Sequence, residues 1–501
     1  MRVAILTLPA CTSILESESS SAWQNSLYPQ SEFVAQKAPL HRDTSALSPN
    51  WEAHRPSAIC GGLRLIRRND ENEDEDEDDW EAQHAGTLAE SGYYPRVFKG
   101  PRVILWSLIT CNLGMMVLAI AINLLPVFLT TIAIDLGKGR PLSAEQLGRI
   151  GAVTFIGLVA GILVTGPLAD RWGARIFAVG GNALIALGLV AFRWTADYPM
   201  LLGAAFVGGV GAGILDMVLS PIVSSLMRGQ SQTAALNVLH SFYCTGAIMT
   251  ILAGSLSLRF NLSWRTLALG LSPMPLVVGI ALCFLPIPSL VEAGQVRIRA
   301  RQLVRQRFFL LTMVTIFLGG ATELGMAYWL PAYAEKSLGY APWTAALAFL
   351  GFSLAMTVGR LGMMFLPKTV GAIPLMLVCC VATAMLFPIA SFAPNRGLAV
   401  TACILVGLTG SCLWPTTLAV AADRYPQGGA TMFALLGALG NFGGIFMPWQ
   451  VGVLADHWGL RWGLSGATFC PLLMILTLQW MRRLPVRSEL IEPVGLGSTP
   501  L

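Results

Sequence analysis

Beyond residue 102 the chain is a succession of apolar runs, each about 20 residues long and separated by short polar stretches. Twelve runs are centred near residues 118, 156, 184, 212, 246, 275, 320, 354, 380, 409, 440 and 472. An apolar run of ~20 residues spans the ~30 Å hydrocarbon core of a bilayer when it is helical. One connection is long. Between the sixth and seventh runs, Pro286 to Arg307 includes "VRIRARQLVRQR", with arginines at 297, 299, 301, 305 and 307. The pattern predicts an all-α membrane protein with twelve transmembrane helices in two six-helix bundles. The expected division is a bundle over 101–286, a cytoplasmic basic linker over 287–307, a second bundle over 308–485 and a cytoplasmic tail over 486–501.

Composition excludes a soluble protein. Only 12% of the 501 residues are charged and the mean hydropathy is +0.62, whereas soluble domains carry about 25% charged residues. The charge is uneven. Residues 1–100 hold 16 of the 28 acidic side chains and 9 of the 33 basic ones, leaving a net +12 on the other 401 residues. "DENEDEDEDDWE", from Asp70, is a self-repelling block, so 1–100 is expected to be a disordered acidic region. It reads as a solvated leader or a start codon placed too far upstream, or else as an interaction or regulatory tail. The arginine clusters near Arg102, Arg171 and Arg175, Arg297–Arg307 and Arg482, Arg483 and Arg487 fall on one side when twelve helices alternate. That side is expected to be cytoplasmic, with both termini inside, in a plasma or inner membrane. Arg140, Arg259 and Arg265 on the other side make this a majority rather than a strict rule. The basic excess thus belongs to membrane loops, and no nucleic-acid partner is expected. Eight cysteines between Cys111 and Cys470 show no CxxC spacing and read as small hydrophobes. There is no GxxxxGK[ST] loop and no metal-ligand cluster, so neither an enzyme nor an ATP-driven pump is expected. No cofactor is expected, and the working unit is expected to be a monomer in the lipid bilayer.

The halves repeat weakly. "NLLPVF" (123–128) in span 1 matches "YWLPAY" (328–333) in span 7, with Gly114 and Gly319 equally far upstream. Gly213, Leu219 and Pro221 of span 4 match Gly407, Leu413 and Pro415 of span 10. Gly246, Gly254, Leu256 and Trp264 match Gly444, Gly452, Leu454 and Trp462 across spans 5 and 11. Three pairs at one six-helix offset indicate a duplicated 6+6 layout, common in secondary transporters.

After span 2 comes "GPLADRWGAR" (166–175). Gly166 and Gly173 permit tight turns and close helix approach. Asp170 suits the positive N-terminal end of a neighbouring helix. Arg171 and Arg175 hold the loop on the cytoplasmic side and offer ion pairs that break when a transporter changes state. This Gly-x-Leu-Ala-Asp-Arg-x-Gly-x-Arg pattern resembles the signature loop of the major facilitator superfamily. The matching second-half loop, "GRLGMMFLPK" (359–368), keeps only Gly359, Arg360, Gly362 and Lys368. The resemblance covers about 102–485. It implies a central cavity lined by spans 1, 4, 7 and 10, and alternating access by rocking of the halves.

Two carboxylates lie well inside the apolar runs, Asp216 in span 4 and Glu323 in span 7. Charges at that depth cost several kcal/mol and mark function by default. A desolvated carboxylate favours its neutral form and so exchanges protons readily, as proton coupling requires. The alternative is that each merely ties two helices together. His240 is the sole histidine in a run, and Asn112 and Asn123 are the polar residues of span 1. Asp216 followed by Ser-Pro, "LNVLHSFYCTGA" in span 5 and "ELGMAYWLPAY" in span 7 resemble the fucose/glucose proton symporter branch. That resemblance implies proton coupling at Asp216, a coupling or substrate contact at Glu323, and cavity polar groups at Asn237, His240 and Tyr243. Asn123 joins them as a candidate solute contact. An acid that fucose carriers have in span 1 is absent here, so another sugar is expected. Tyr328, Trp329 and Trp414 are candidate stacking surfaces for a sugar ring or, alternatively, interfacial belt residues. Tyr333 reads as a belt residue. The expected function is proton-coupled sugar symport. A drug or metabolite efflux antiporter and a non-transporting membrane sensor are the alternatives, and the absence of proline in "FYCTGAIMTILAGS" of span 5 counts against efflux.

Overall fold

The computed structural model describes residues 101–227, 232–287, 300–363, 370–425 and 429–484. The acidic region 1–100, most of the basic linker and the tail 486–501 lie outside the described residues. Twelve helical spans are long and apolar enough to cross a membrane: Arg102–Val127, Ala144–Gly166, Ala174–Trp194, Tyr198–Leu226, Val238–Arg259, Trp264–Phe284, Arg307–Lys336, Pro342–Gly362, Ala372–Phe392, Arg396–Arg424, Thr431–Trp458 and Leu460–Arg483. Each contains one of the predicted centres. Numbered 1 to 12, they alternate in direction. The end that carries Gly173 and Leu285 is here the A face, and the end that carries Ser143, Thr195 and Gly459 is the B face.

Several spans are broken, and proline accounts for the cleanest breaks. Span 10 stops at Gly410 and restarts at Leu413, and span 12 stops at Gly466 and restarts at Phe469. Pro415 and Pro471 each sit five residues after the stop, where each lacks the N–H that the preceding turn needs and crowds its carbonyl. The matching Pro221 of span 4 lies inside an unbroken helix, Tyr198–Leu226.

Spans 2 and 4 are in backbone contact. Gly157 and Gly161 on one and Gly209 and Gly213 on the other form reciprocal small-xxx-small pairs. A Cβ at Gly213 would meet the Leu158 carbonyl, and one at Gly209 the Thr154 carbonyl. The six-helix repeat is visible in packing: Gly246 of span 5 lies on Met116 of span 1, and Gly444 of span 11 lies against Leu324 of span 7.

Arginines at the loops close neighbouring helices. Arg175 Nη2 donates to Leu285 O at 2.9 Å, Arg265 Nη2 to Thr195 O at 2.9 Å, and Arg461 Nη2 to Ser337 O at 3.2 Å. Each acceptor is the C-cap residue of its helix, where carbonyls lack intrahelical partners and a cation is favoured. Trp106, Trp172, Trp194, Trp458, Trp462 and Trp480 are exposed near span ends, as an interfacial belt requires. Tyr333 is not in that belt. It is fully buried, and its hydroxyl donates to Ala390 O at 2.6 Å.

Candidate functional site

The polar residues of the apolar interior meet at one height. Counting ~1.5 Å per helical residue from the B-face ends of their helices, and for Asn123 from the end of the short helix Leu129–Asp135 that continues span 1, Asn123, Tyr243, Glu323, Arg360 and Asp216 lie about 18–27 Å deep. At the centre is an ion pair. Arg360 Nη2 approaches Glu323 Oε1 at 2.9 Å and Oε2 at 3.1 Å, linking spans 8 and 7. Expected in a loop, Arg360 instead belongs to the helix Pro342–Gly362. Its Nε points at Ser411 O, 3.5 Å away. Ser411 is the residue whose carbonyl Pro415 leaves without a helical donor, so the break in span 10 supplies an acceptor to the arginine. Nη1 of Arg360 has no hydrogen-bond partner among the described residues.

The other half of the molecule faces this pair. His240 and Tyr243 of span 5 both lie within electrostatic range of Arg360, and Tyr243 also within range of Glu323. The Tyr243 hydroxyl also lies within electrostatic range of the Asn123 side chain in span 1. Asn123 donates from Nδ2 to Ala119 O at 2.8 Å, so its amide is fixed. The group thus joins spans 1, 5, 7 and 8 across the two halves. Asp216 is half-buried one turn beyond the Gly213 contact and makes no hydrogen bond or ion pair among the described residues. Asn237 and Asp170 occupy helical positions, but their side chains lie outside the described residues.

The aromatic candidates separate from the polar group. Tyr328 and Trp329 are buried; Tyr328 Oη donates to Leu147 O at 2.6 Å and Trp329 Nε1 to Pro448 O at 2.9 Å. Both are committed to helix contacts. Trp414 is half-buried, with its ring against Gly320 and Gly440.

The halves close on each other at the B face. Asp456 of span 11 accepts from Ala144 N at 2.7 Å and Glu145 N at 2.9 Å, capping span 2. Trp449 Nε1 donates to Glu145 Oε1 at 2.9 Å, and Ser255 Oγ to Trp343 O at 2.9 Å. Arg259 lies over the Trp343 ring, 4.7 Å from its centroid. Gly148 rests on the Pro448 backbone and Gly452 on that of Ala144. Towards the A face the seal is lost. Along one stripe of span 5, Ile251 and Ala247 are buried, Tyr243 is half-buried and His240 is exposed. The polar group therefore sits at the bottom of a cleft that opens towards the A face. Among the described residues no cluster of His, Cys, Asp or Glu can hold a metal.

Sequence reasoning had singled out the acids of this group and missed Arg360 as a member. It also missed "GVLADHWGLR" (452–461), which repeats seven of the ten residues of 166–175 and carries Asp456. A scan of the chain for a second copy of the first motif would have found it.

Comparison with known proteins fits this architecture. The chain is 32% identical over 156 residues to the 3-(3-hydroxy-phenyl)propionate transporter of Escherichia coli, a match over 31% of this chain and 38% of that protein. It is 27% identical over 385 residues to the gentisate transporter of Corynebacterium glutamicum, covering 72% of this chain and 79% of the relative. The multidrug resistance protein MdtL of Shewanella oneidensis is 25% identical over 46% of this chain and 58% of its own length. Among solved structures, a D-xylose-proton symporter aligns with TM-score 0.62 and 16% identity over 77% of this chain and 99% of that one. A bacterial homologue of the human lysosomal transporter Spinster, in an inward-facing and unoccupied conformation, aligns with TM-score 0.65 and 14% identity over 77% and 98%. These structural likenesses establish the fold. Residues 111–428 match the sequence profile of the Major Facilitator Superfamily, and the chain belongs to that family of multi-pass membrane transporters.

Proposed function

We propose that the protein is a proton-coupled carrier of a small organic acid, most simply an aromatic monocarboxylate, and that the cleft group built on Arg360 is its solute site. The carrying observation is the guanidinium itself. A cation at this depth is costly and calls for an anionic partner. Glu323 engages only Nη2, which leaves Nη1 open to a second carboxylate in the planar geometry that arginine favours. Tyr243, Asn123 and His240 offer donors and acceptors for ring hydroxyls, and Trp414 an apolar wall. Relatives named as transporters of hydroxyphenylpropionate and gentisate, both aromatic acids, support the same solute class. Asp216, unpartnered and half-buried in span 4, is the proposed proton site. With the arginine-rich A face cytoplasmic, the present state is inward-open.

A sugar is a poorer fit, because an uncharged solute gives Arg360 nothing that Glu323 does not already provide. Efflux of a hydrophobic drug is supported by the likeness to MdtL, and it predicts no requirement for a carboxylate. Binding to purified protein separates these readings. Stabilisation of the wild type against heat should follow 3-hydroxybenzoate and not 3-hydroxybenzamide or xylose, and Arg360→Gln should remove it. Equal stabilisation by the amide, or retention in Arg360→Gln, rules out the acid reading; xylose alone acting would restore the sugar.

A further inference from the structure

The two copies of the Gly-x-Leu-Ala-Asp-x-Trp-Gly-x-Arg sequence sit at opposite faces of the molecule and share one conformation. Gly173 and Gly459 both have positive φ, 83° and 84°, a turn that favours glycine. The terminal arginine of each copy bonds the C-cap carbonyl of a neighbouring helix, Arg175 at Leu285 and Arg461 at Ser337. The aspartate of the B-face copy, Asp456, reaches across to the other half. Both its carboxylate oxygens accept backbone N–H groups in the first turn of span 2, alongside the side-chain cap from Ser143. A carboxylate at a helix N-terminus satisfies orphan donors and meets the positive end of the macrodipole. Because span 2 and span 11 belong to different halves, this cap exists only while the B face is closed.

We propose that Gly452–Arg461 is the clasp of the B-face gate. Asp456, through the two backbone N–H groups it caps, holds the cleft open to the A face. Neutralising its carboxylate moves the equilibrium towards the state open at the B face. Asp456 does not belong to the proposed solute site, so the inference stands whatever the solute is.

Hydrogen exchange of the full-length protein in nanodiscs tests it. In Asp456→Asn, amides at the start of span 2, including those of Ala144 and Glu145, should exchange about tenfold faster than in the wild type, since the amide keeps one acceptor oxygen and loses the other together with the charge. Asp456→Glu, which keeps the carboxylate, should stay close to wild type and serves as the folding control. B-face exchange in Asp456→Asn within twofold of wild type, or the same acceleration in Asp456→Glu, would overturn the proposal.

Discussion

Arg360 shows how one residue organises the interior. It joins a carboxylate from span 7 to a carbonyl that a proline in span 10 sets free, and it faces the tyrosine and histidine of span 5. Removing one member of a buried ion pair leaves an uncompensated charge, whereas removing both can be nearly neutral. Arg360→Gln should therefore lower the thermal midpoint by a few degrees, about 2 kcal/mol after discounting for the 28% exposure of the arginine side chain. The double variant Glu323→Gln/Arg360→Gln should regain most of that loss. A double variant no better than the single one would mean that the pair is not energetically coupled. Asp216 and Glu323 were legible in the sequence because an acid in the middle of an apolar run has no ordinary explanation. Arg360 was not. An arginine near the end of a run fits the positive bias of loops, and the sequence does not show how far span 8 continues. Tyr328, Trp329 and Tyr333 were ambiguous for a related reason. Aromatic side chains suit a belt, a cavity wall and a helix contact equally well, and only tertiary packing assigned them to contacts.

Among the elements, all twelve spans were legible, because length and apolarity alone fix a transmembrane helix. Their breaks were not. Pro221 and Pro415 occupy matching positions, yet only the second interrupts its helix. Proline frees a carbonyl, and whether the helix opens there depends on a neighbour that can use the freed acceptor. In span 10 that neighbour is Arg360. Pro415→Ala should restore the bond from residue 415 to Ser411, straighten span 10 and raise the thermal midpoint. It should also slow transport, since the arginine loses one of its two anchors. The check is thermal stability and saturating uptake rate on the same preparation. A faster carrier, or one unchanged on both counts, would show that the break does not position Arg360. The repeat at 452–461 was equally visible in the sequence, but its meaning depended on which helix end Asp456 reaches.

Across the molecule, the halves are clasped at one face while the polar group lies open towards the other. That asymmetry is what alternating access demands of one end state. Every hydrogen bond named here between the halves lies on the B-face side of the polar group, so switching must break this set and form another at the A face. Under the proposed function, such switching couples protons to an organic acid through Asp216 and Arg360. Uptake of labelled 3-hydroxybenzoate into proteoliposomes, with and without an inward proton gradient, tests this coupling when wild type and Asp216→Asn are compared. The wild type should accumulate solute when the gradient is present, and Asp216→Asn should exchange solute without accumulating it. Accumulation by Asp216→Asn equal to that of the wild type would remove Asp216 from the coupling.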